Sequence, residues 1–197
     1  MRQNKNEPYL RGDALRFQFN EFWNRALKTS GENYFGRLTS EDFIGLKKAI
    51  SCINNILTLK ATLQFIDRIR KCRIINRGQA AKMRDAVEQQ HPNTTGFDVK
   101  FDDGTTRIIA EVKCSIPVNG DKFGSRQKTS ILTDLTGLEN GKKKGDVKNL
   151  SAYYKFMVIL DVCNAREAMK NLMQDKFIEL KGNNVDTHHV FVVFVNV

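Results

Sequence analysis

Residues 96–113 read GFDVKFDDGTTRIIAEVK, and this stretch decides how the second half of the chain folds. Two short runs of strand-forming residues flank a polar turn, which predicts a β-hairpin that closes at residues 102–105. Side chains two residues apart in a strand project from the same face. Glu111 and Lys113 therefore point together, and the hairpin brings Asp98 across from them. Two carboxylates and one amine are expected to converge.

Such a cluster suits a divalent metal ion and the hydrolysis of a phosphodiester. Magnesium prefers oxygen ligands and is usually held by one or two carboxylates together with phosphate oxygens of the substrate. Asp98 and Glu111 could supply the carboxylates, and the backbone carbonyl of Val112 a third oxygen. Bound magnesium lowers the pKa of its water and neutralises charge on the phosphate. Lys113 adds a cation beside the water or the phosphate, and a role for it as a base stays open.

The acid-x-Lys triplet occurs four times in the chain, so only its context separates one occurrence from another. The triplet at Glu111 alone follows an apolar run and also has an acid on an earlier strand. The alternative interpretation is a surface hairpin that carries ordinary charges on its solvent-facing side.

At these residues the chain resembles the PD-(D/E)XK nuclease superfamily, which contains most type II restriction endonucleases. Asp98 matches the first acid of the signature, Glu111 the second and Lys113 the lysine. Phe97 stands where the family usually has a proline. The resemblance covers about residues 77–162, and it implies a core that runs helix, three strands, helix, strand.

The predicted fold class is α/β, with a mixed central β-sheet flanked by helices in a restriction-endonuclease-like core and a helical N-terminal region. A single domain over residues 1–197 is expected, with the helical region at 1–75 and the nuclease core at 76–197. Helical patterns occupy 13–28, a segment from Thr39 or Ser40 to Leu57, 61–71, 78–90, 129–138 and 165–180. Apolar runs at 156–160 and 190–197 predict buried strands.

The charge of the chain favours a nucleic-acid partner. Lys and Arg number 32 against 22 Asp and Glu, which gives a formal net charge of +10. Positive charge attracts phosphates and makes binding dependent on salt. Candidate DNA contacts lie in an arginine-rich segment and in a polar loop, 115–130, that leaves the active strand; they are Arg73, Arg77, Arg126, Gln127 and Lys128. A solvated basic surface is the alternative for both segments.

Glu88, on the helix before the hairpin, is a tentative further ligand, because enzymes of the resembling superfamily sometimes add an acid from this helix to the metal site. A surface carboxylate is the alternative interpretation of Glu88.

Other sequence features bear on location and cofactors. Residues 1–8 are polar, and no apolar run approaches the roughly 18 residues of a membrane span. The four cysteines form neither a CxxC pair nor a zinc-ligand pattern, which is typical of thiols in a reducing compartment. We therefore expect a cytoplasmic protein with no membrane partner and no small-molecule cofactor, and with Mg²⁺ as its metal.

The predicted function is a Mg²⁺-dependent DNA endonuclease of the type II restriction kind. It would cut a specific double-stranded site as a homodimer, since two sites related by a two-fold axis cut both strands of a palindrome. Two alternatives stay open, a structure-specific or repair nuclease of the same superfamily and a non-catalytic DNA-binding protein.

Overall fold

A computed structural model of the protein describes residues 11–91, 95–118, 120–142 and 147–197. The chain forms two compact units, Met1–Cys52 and Ile53–Val197. Its helices are α1 (Arg11–Ala26), α2 (Ser40–Lys71), α3 (Arg77–Glu88), α4 (Ser125–Asn140) and α5 (Ala165–Met173). Its strands are β1 (Val99–Asp102), β2 (Arg107–Lys113), β3 (Tyr154–Leu160) and β4 (Val190–Val195). The predicted α/β class and the helical N-terminal region are confirmed.

Aromatic rings hold the smaller unit together. The ring of Phe19 on α1 lies 6.0 Å from that of Phe35 and 5.6 Å from that of Phe43, centroid to centroid. The side chain of Asn20 accepts a hydrogen bond from the backbone N of Phe35 at 2.8 Å. None of the α1 residues, all of which are described, is buried. The smaller unit therefore has a thin core.

Helix α2 is one continuous helix of 32 residues, where the sequence pattern predicted two. Its start is capped reciprocally, because Asp42 N donates to Thr39 Oγ1 at 3.2 Å and Thr39 N donates to Asp42 Oδ2 at 2.8 Å. Neither glycine nor proline interrupts residues 57–61, so nothing local ends the helix there.

The C-terminal part of α2 belongs to the sheet unit. Phe65, Ile66 and Ile69 are fully buried in the same core as the strands. The boundary between the units therefore falls at Cys52, inside the region assigned to the N-terminal helices. Among the described helices, α2 is also the one that is long and apolar enough to cross a membrane by length and composition, although no such segment was expected. The C-terminal end of α2 is the part of this helix that is buried in the core of the larger unit.

The four strands form one mixed sheet in the order β1-β2-β3-β4. Strands β1 and β2 are antiparallel, whereas β2, β3 and β4 are parallel to one another. Parallel neighbours need a crossover connection, and α4 and α5 provide the two crossovers. Two strands precede α4 in the described chain, so the observed order differs from the three strands that the resemblance implies.

Both faces of the sheet are covered by helices. Phe65 of α2 and Met83 of α3 pack with Ile108, Ala110 and Val112 in one core. The opposite core contains sheet residues together with side chains of α4 and α5, namely Ile109, Met157, Ile159, Ile131, Leu135, Leu138, Ala168 and Met169.

Several element ends differ from their predicted positions. The hairpin pairs as far as Asp102 and Arg107, so its turn is longer than expected. Helix α4 begins at Ser125, inside the segment predicted as a loop. Helix α5 ends at Met173, since Gln174 has a φ of 51° in the left-handed region, which a helix cannot continue.

Candidate functional site

The hairpin places Asp98 at the carboxyl end of β2. Val99 pairs with Ala110, so the same register continued by one residue sets Asp98 opposite Glu111. Oδ2 of Asp98 accepts a hydrogen bond from the backbone N of Val112 at 2.8 Å. This bond ties the first acid to the middle residue of the Glu-Val-Lys triplet.

Glu111 and Lys113 lie on the face of β2 that α4 and α5 cover. Ile109, two residues before Glu111, packs in that core, whereas Val112 packs in the opposite one. Glu111 is only 3 % exposed, and the side chain of Lys113 is 20 % exposed. A carboxylate buried to this extent is costly unless its charge is balanced.

Helix α4 brings two further polar side chains to this face. Nζ of Lys113 donates a hydrogen bond to Oγ of Ser130 at 2.9 Å and forms an ion pair with Asp134. Ser130 and Asp134 are one helical turn apart and therefore share a face of α4. Asp134 is buried, and the sequence reasoning missed it as a member of the site.

A second lysine reaches the acids from the end of α4. Nζ of Lys142 lies 2.6 Å from Oε1 of Glu111 and 3.2 Å from Oδ1 of Asp134. It also donates a hydrogen bond to the carbonyl of Gly96 at 3.1 Å. Among the described residues, Oε1 of Glu111 is nevertheless a buried atom without a hydrogen bond of good geometry. The contact with Lys142 is an ion pair with poor hydrogen-bond geometry.

Burial and mutual repulsion shape the charges of the two predicted ligands. Burial raises the pKa of Glu111 to about 8, and the charge of Asp98 adds to the increase while Lys142 opposes it. Burial also raises the pKa of Asp98, against the lowering effects of the Val112 N–H and the two lysines. With Asp98, Glu111 and Asp134 all ionised, the cluster holds one carboxylate more than it has ammonium groups, so ionisation of Glu111 favours additional positive charge.

A pair of carboxylates is a donor set that could hold Mg²⁺. Within the described part of the chain, no group of three or more His, Cys, Asp or Glu side chains is arranged to hold a metal ion. Magnesium does not need such a group, because it commonly keeps several waters and takes one or two protein carboxylates. Asp98 and the poorly hydrogen-bonded Oε1 of Glu111 would be those ligands.

Three of the predicted DNA contacts lie at the same end of the sheet. Arg126 and Lys128 are exposed in the first turn of α4. They precede Ser130, whose hydroxyl accepts a hydrogen bond from Lys113 at the carboxyl end of β2. The side chain of Gln127 is engaged, because it accepts from Gly124 N at 3.0 Å and donates to the carbonyl of Ile116 at 3.1 Å. Reading a base through Gln127 would require breaking both bonds.

The other two predicted DNA contacts lie at the opposite end of the hairpin. Gln79 Nε2 donates to Asp103 Oδ2 at 2.9 Å, which sets the start of α3 beside the hairpin turn. Arg77 is the first residue of α3 and Arg73 precedes it, and both are exposed. The length of β1 separates this end from Asp98, so the structure does not gather these arginines with the acids.

Glu88 lies at the end of α3 that is nearer to Asp98. Both residues line a cleft of about 400 Å³ within the larger unit, together with Thr58, Thr62 and His91. Glu88 is exposed, and with Asp98 it lines this cleft beside residues of α2 and α3. Within the part of the chain that the structure describes, Glu88 makes no hydrogen bond or ion pair with the cluster around Glu111.

The two residues that sequence reasoning missed differ in the signal that the sequence carries for each of them. Asp134 occupies a position between Ile131 and Leu138 on the apolar face of an amphipathic helix, and an acid in such a stripe is a signal for a polar site. Lys142 follows the helix in a basic, glycine-bounded segment, where the pattern is typical of a solvated loop or a contact with the DNA backbone and gives no sign that the side chain reaches the acids.

Comparison of the chain with family models, curated proteins and solved structures found no match. The class of protein therefore rests on the residues and geometry described above.

Proposed function

We propose that this chain is a Mg²⁺-dependent endonuclease that hydrolyses phosphodiester bonds of double-stranded DNA at specific sites, in the manner of a type II restriction endonuclease. One observation carries the proposal. Asp98 accepts a hydrogen bond from the Val112 N–H, next to Glu111, which is buried and whose pKa is raised to about 8 by burial and by the charge of Asp98. Carboxylates with this deficit of positive charge form a site for a divalent cation.

Each residue of the cluster has a role in this proposal. Asp98 and Glu111 would hold Mg²⁺, with the Val112 carbonyl as a further ligand, and the Val112 N–H orients Asp98. When bound there, the ion would lower the pKa of its water and neutralise charge on the phosphate. Ser130 and Asp134 hold the ammonium of Lys113 at the end of β2, where it would contact the scissile phosphate.

The basic residues of the first α4 turn support a DNA substrate. Arg126 and Lys128 are exposed on the side of the sheet where the acids lie, and they would contact phosphates that flank the cut. The net charge of +10 acts in the same direction. A homodimer would place two such sites on a palindrome, and the cytoplasm is the proposed location.

A second candidate is a non-catalytic DNA-binding protein, and the ion pair between Glu111 and Lys142 favours it. In this pair a protein cation already balances the buried carboxylate, as it would in a cluster that serves structure alone.

Incubation of long, mixed-sequence DNA with Mg²⁺ tests the proposal. We expect discrete fragments from the wild type and none from Asp98→Ala or Lys113→Ala. Asp175→Ala and Lys181→Ala are matched controls, because they remove the same charges at exposed positions outside the cluster and should cut normally. Circular dichroism of every variant checks that its fold is retained.

Each other result assigns a different function. A smear that depends on Asp98 and Lys113 would indicate a nonspecific or structure-selective nuclease. Uncut DNA whose migration the wild type still retards at low salt would establish the DNA-binding protein, and the catalytic assignment would be wrong.

A further inference from the structure

The side chain of Lys142 is held by contacts with several segments of the larger unit. Its ammonium contacts Glu111 of β2, Asp134 of α4 and the carbonyl of Gly96, which precedes Asp98. The same nitrogen lies 5.4 Å from the ring centre of Phe97. These contacts join both strands of the hairpin to α4 through one cation.

Two glycines make room for this side chain. A Cβ atom on residue 137 would lie 3.0 Å from Cγ of Lys142 and 3.1 Å from its Cε, so the lysine stem crosses α4 where Gly137 lacks a side chain. Gly141 has a φ of 89°, in the left-handed region that favours glycine, and turns the chain at the helix end. The approach of Lys142 to the acids is thus permitted by backbone positions that larger residues would not tolerate without strain.

The position of the Lys142 ammonium overlaps the metal site that we propose. The ammonium is 2.6 Å from Oε1 of Glu111, the oxygen that lacks a hydrogen bond of good geometry. A divalent ion bound to this oxygen would occupy nearly the same space, and like charges at such a separation repel strongly where water is scarce. Both cations therefore cannot hold that oxygen at once.

We propose that Lys142 is an internal counter-ion that competes with the divalent metal for Glu111. The inference rests on the proposed function, because it takes Asp98 and Glu111 as the metal ligands. With metal absent, the Lys142 ammonium lies beside Oε1 of Glu111, and its contacts keep the hairpin and α4 together. With metal bound, Lys142 gives up Glu111 and retains Asp134 and the Gly96 carbonyl as its partners.

Binding of Mn²⁺ without DNA, followed by the electron paramagnetic resonance signal of the free ion, tests this competition apart from activity. We expect Lys142→Met to bind Mn²⁺ at least about tenfold more tightly than the wild type, because a repelling cation is removed. Gly137→Ala keeps the charge but displaces the lysine stem, so it should tighten binding by a smaller factor. Lys181→Met, an equal charge change at an exposed position, should leave the affinity unchanged.

The outcomes separate failure of this inference from failure of the proposed function. If the wild type binds Mn²⁺, Asp98→Asn abolishes binding and Lys142→Met leaves the affinity unchanged or weaker, the competition is refuted and the metal site stands. If neither the wild type nor Lys142→Met binds Mn²⁺, the metal site and the competition are both wrong. If Lys142→Met does not fold, the Mn²⁺ affinity of Gly137→Ala tests the competition instead.

Discussion

The acids at the two ends of one β-hairpin have pKa values that are shifted in opposite directions. At the turn, the carboxylate of Asp103 is exposed and accepts hydrogen bonds from Gln79 Nε2, Thr106 N and Thr105 Oγ1 at 2.8–2.9 Å. The bond from Gln79 and those from the turn residues hold the pKa of Asp103 well below its usual value. At the other end, burial raises the pKa values of Asp98 and Glu111. The acids at the two ends belong to a single segment of 18 residues.

This difference distinguishes a structural acid from a candidate functional one. Asp103 has its charge satisfied by nearby donors of the turn and of α3, so its hydrogen bonds stabilise the turn. Glu111 is buried, and its nearest cation makes an ion pair without good hydrogen-bond geometry. Groups with such perturbed pKa values are concentrated at functional sites. Charge that is incompletely balanced by the protein therefore identifies the end of the hairpin where a ligand would bind.

The largest expected effect is the loss of cleavage in Glu111→Gln. The amide keeps the shape of the side chain but removes the charge that would hold the metal, whose stabilisation of the transition state is worth several kcal/mol. We expect a decrease of roughly a thousandfold or more in the rate of DNA cleavage. Asp103→Asn, the same change at the turn, should cut at close to the wild-type rate, and equal losses in the two variants would contradict the comparison.

A second effect concerns the pH dependence of stability in metal-free protein. The pKa of Glu111 is raised from 4.5 to about 8, so the folded state retains a proton that the unfolded state releases. Its contribution is fully present below about pH 4.5 and is lost as the pH rises to about 8, by up to ~1.4 kcal/mol per pH unit. Asp103 acts in the opposite direction, because its lowered pKa adds stability above about pH 3.8 that is lost on acidification.

Urea unfolding in the presence of EDTA, from about pH 3 to pH 9, measures both contributions. Glu111→Gln should flatten the decline in the free energy of unfolding between about pH 4.5 and pH 8. Asp103→Asn should instead reduce the decline at acid pH. Superimposable pH profiles for the wild type and Glu111→Gln would show that Glu111 is not protonated more readily in the folded state.

The smallest expected effect is on DNA binding by the arginines at the two ends. Arg126 lies on the side of the acids, so Arg126→Ala should reduce the slope of log K against log salt by about 1. Arg77, at the turn end, is the matched control, and Arg77→Ala should leave the slope unchanged if the DNA lies over the acids. Fluorescence anisotropy with labelled duplex DNA and no added metal measures both. A larger change with Arg77→Ala would place the DNA at the turn end instead.

The hairpin and its acids could be predicted because their arrangement depends on local rules. Strand residues alternate between faces and a polar turn reverses the chain, so the sequence brings Asp98 to the end of β2 that carries Glu111. The exact register came from a turn that is two residues longer than predicted. The burial of β3 and β4 followed in the same way from continuous apolar runs. Element ends were less predictable, since helices α4 and α5 begin or end at positions set by backbone geometry and packing.

Composition and strand alternation were enough to predict the α/β class, the excess of positive charge and the residues that share a face of the hairpin. Asp134 and Lys142 join this cluster only in the folded protein, because α4 packs across β2 and the lysine stem passes over Gly137. The tertiary structure also separated Arg73 and Arg77 from the acids by the length of β1. The physical reason is that alternation and turn formation act over a few residues. The charge around Glu111, by contrast, depends on side chains from segments that meet only when the core is packed.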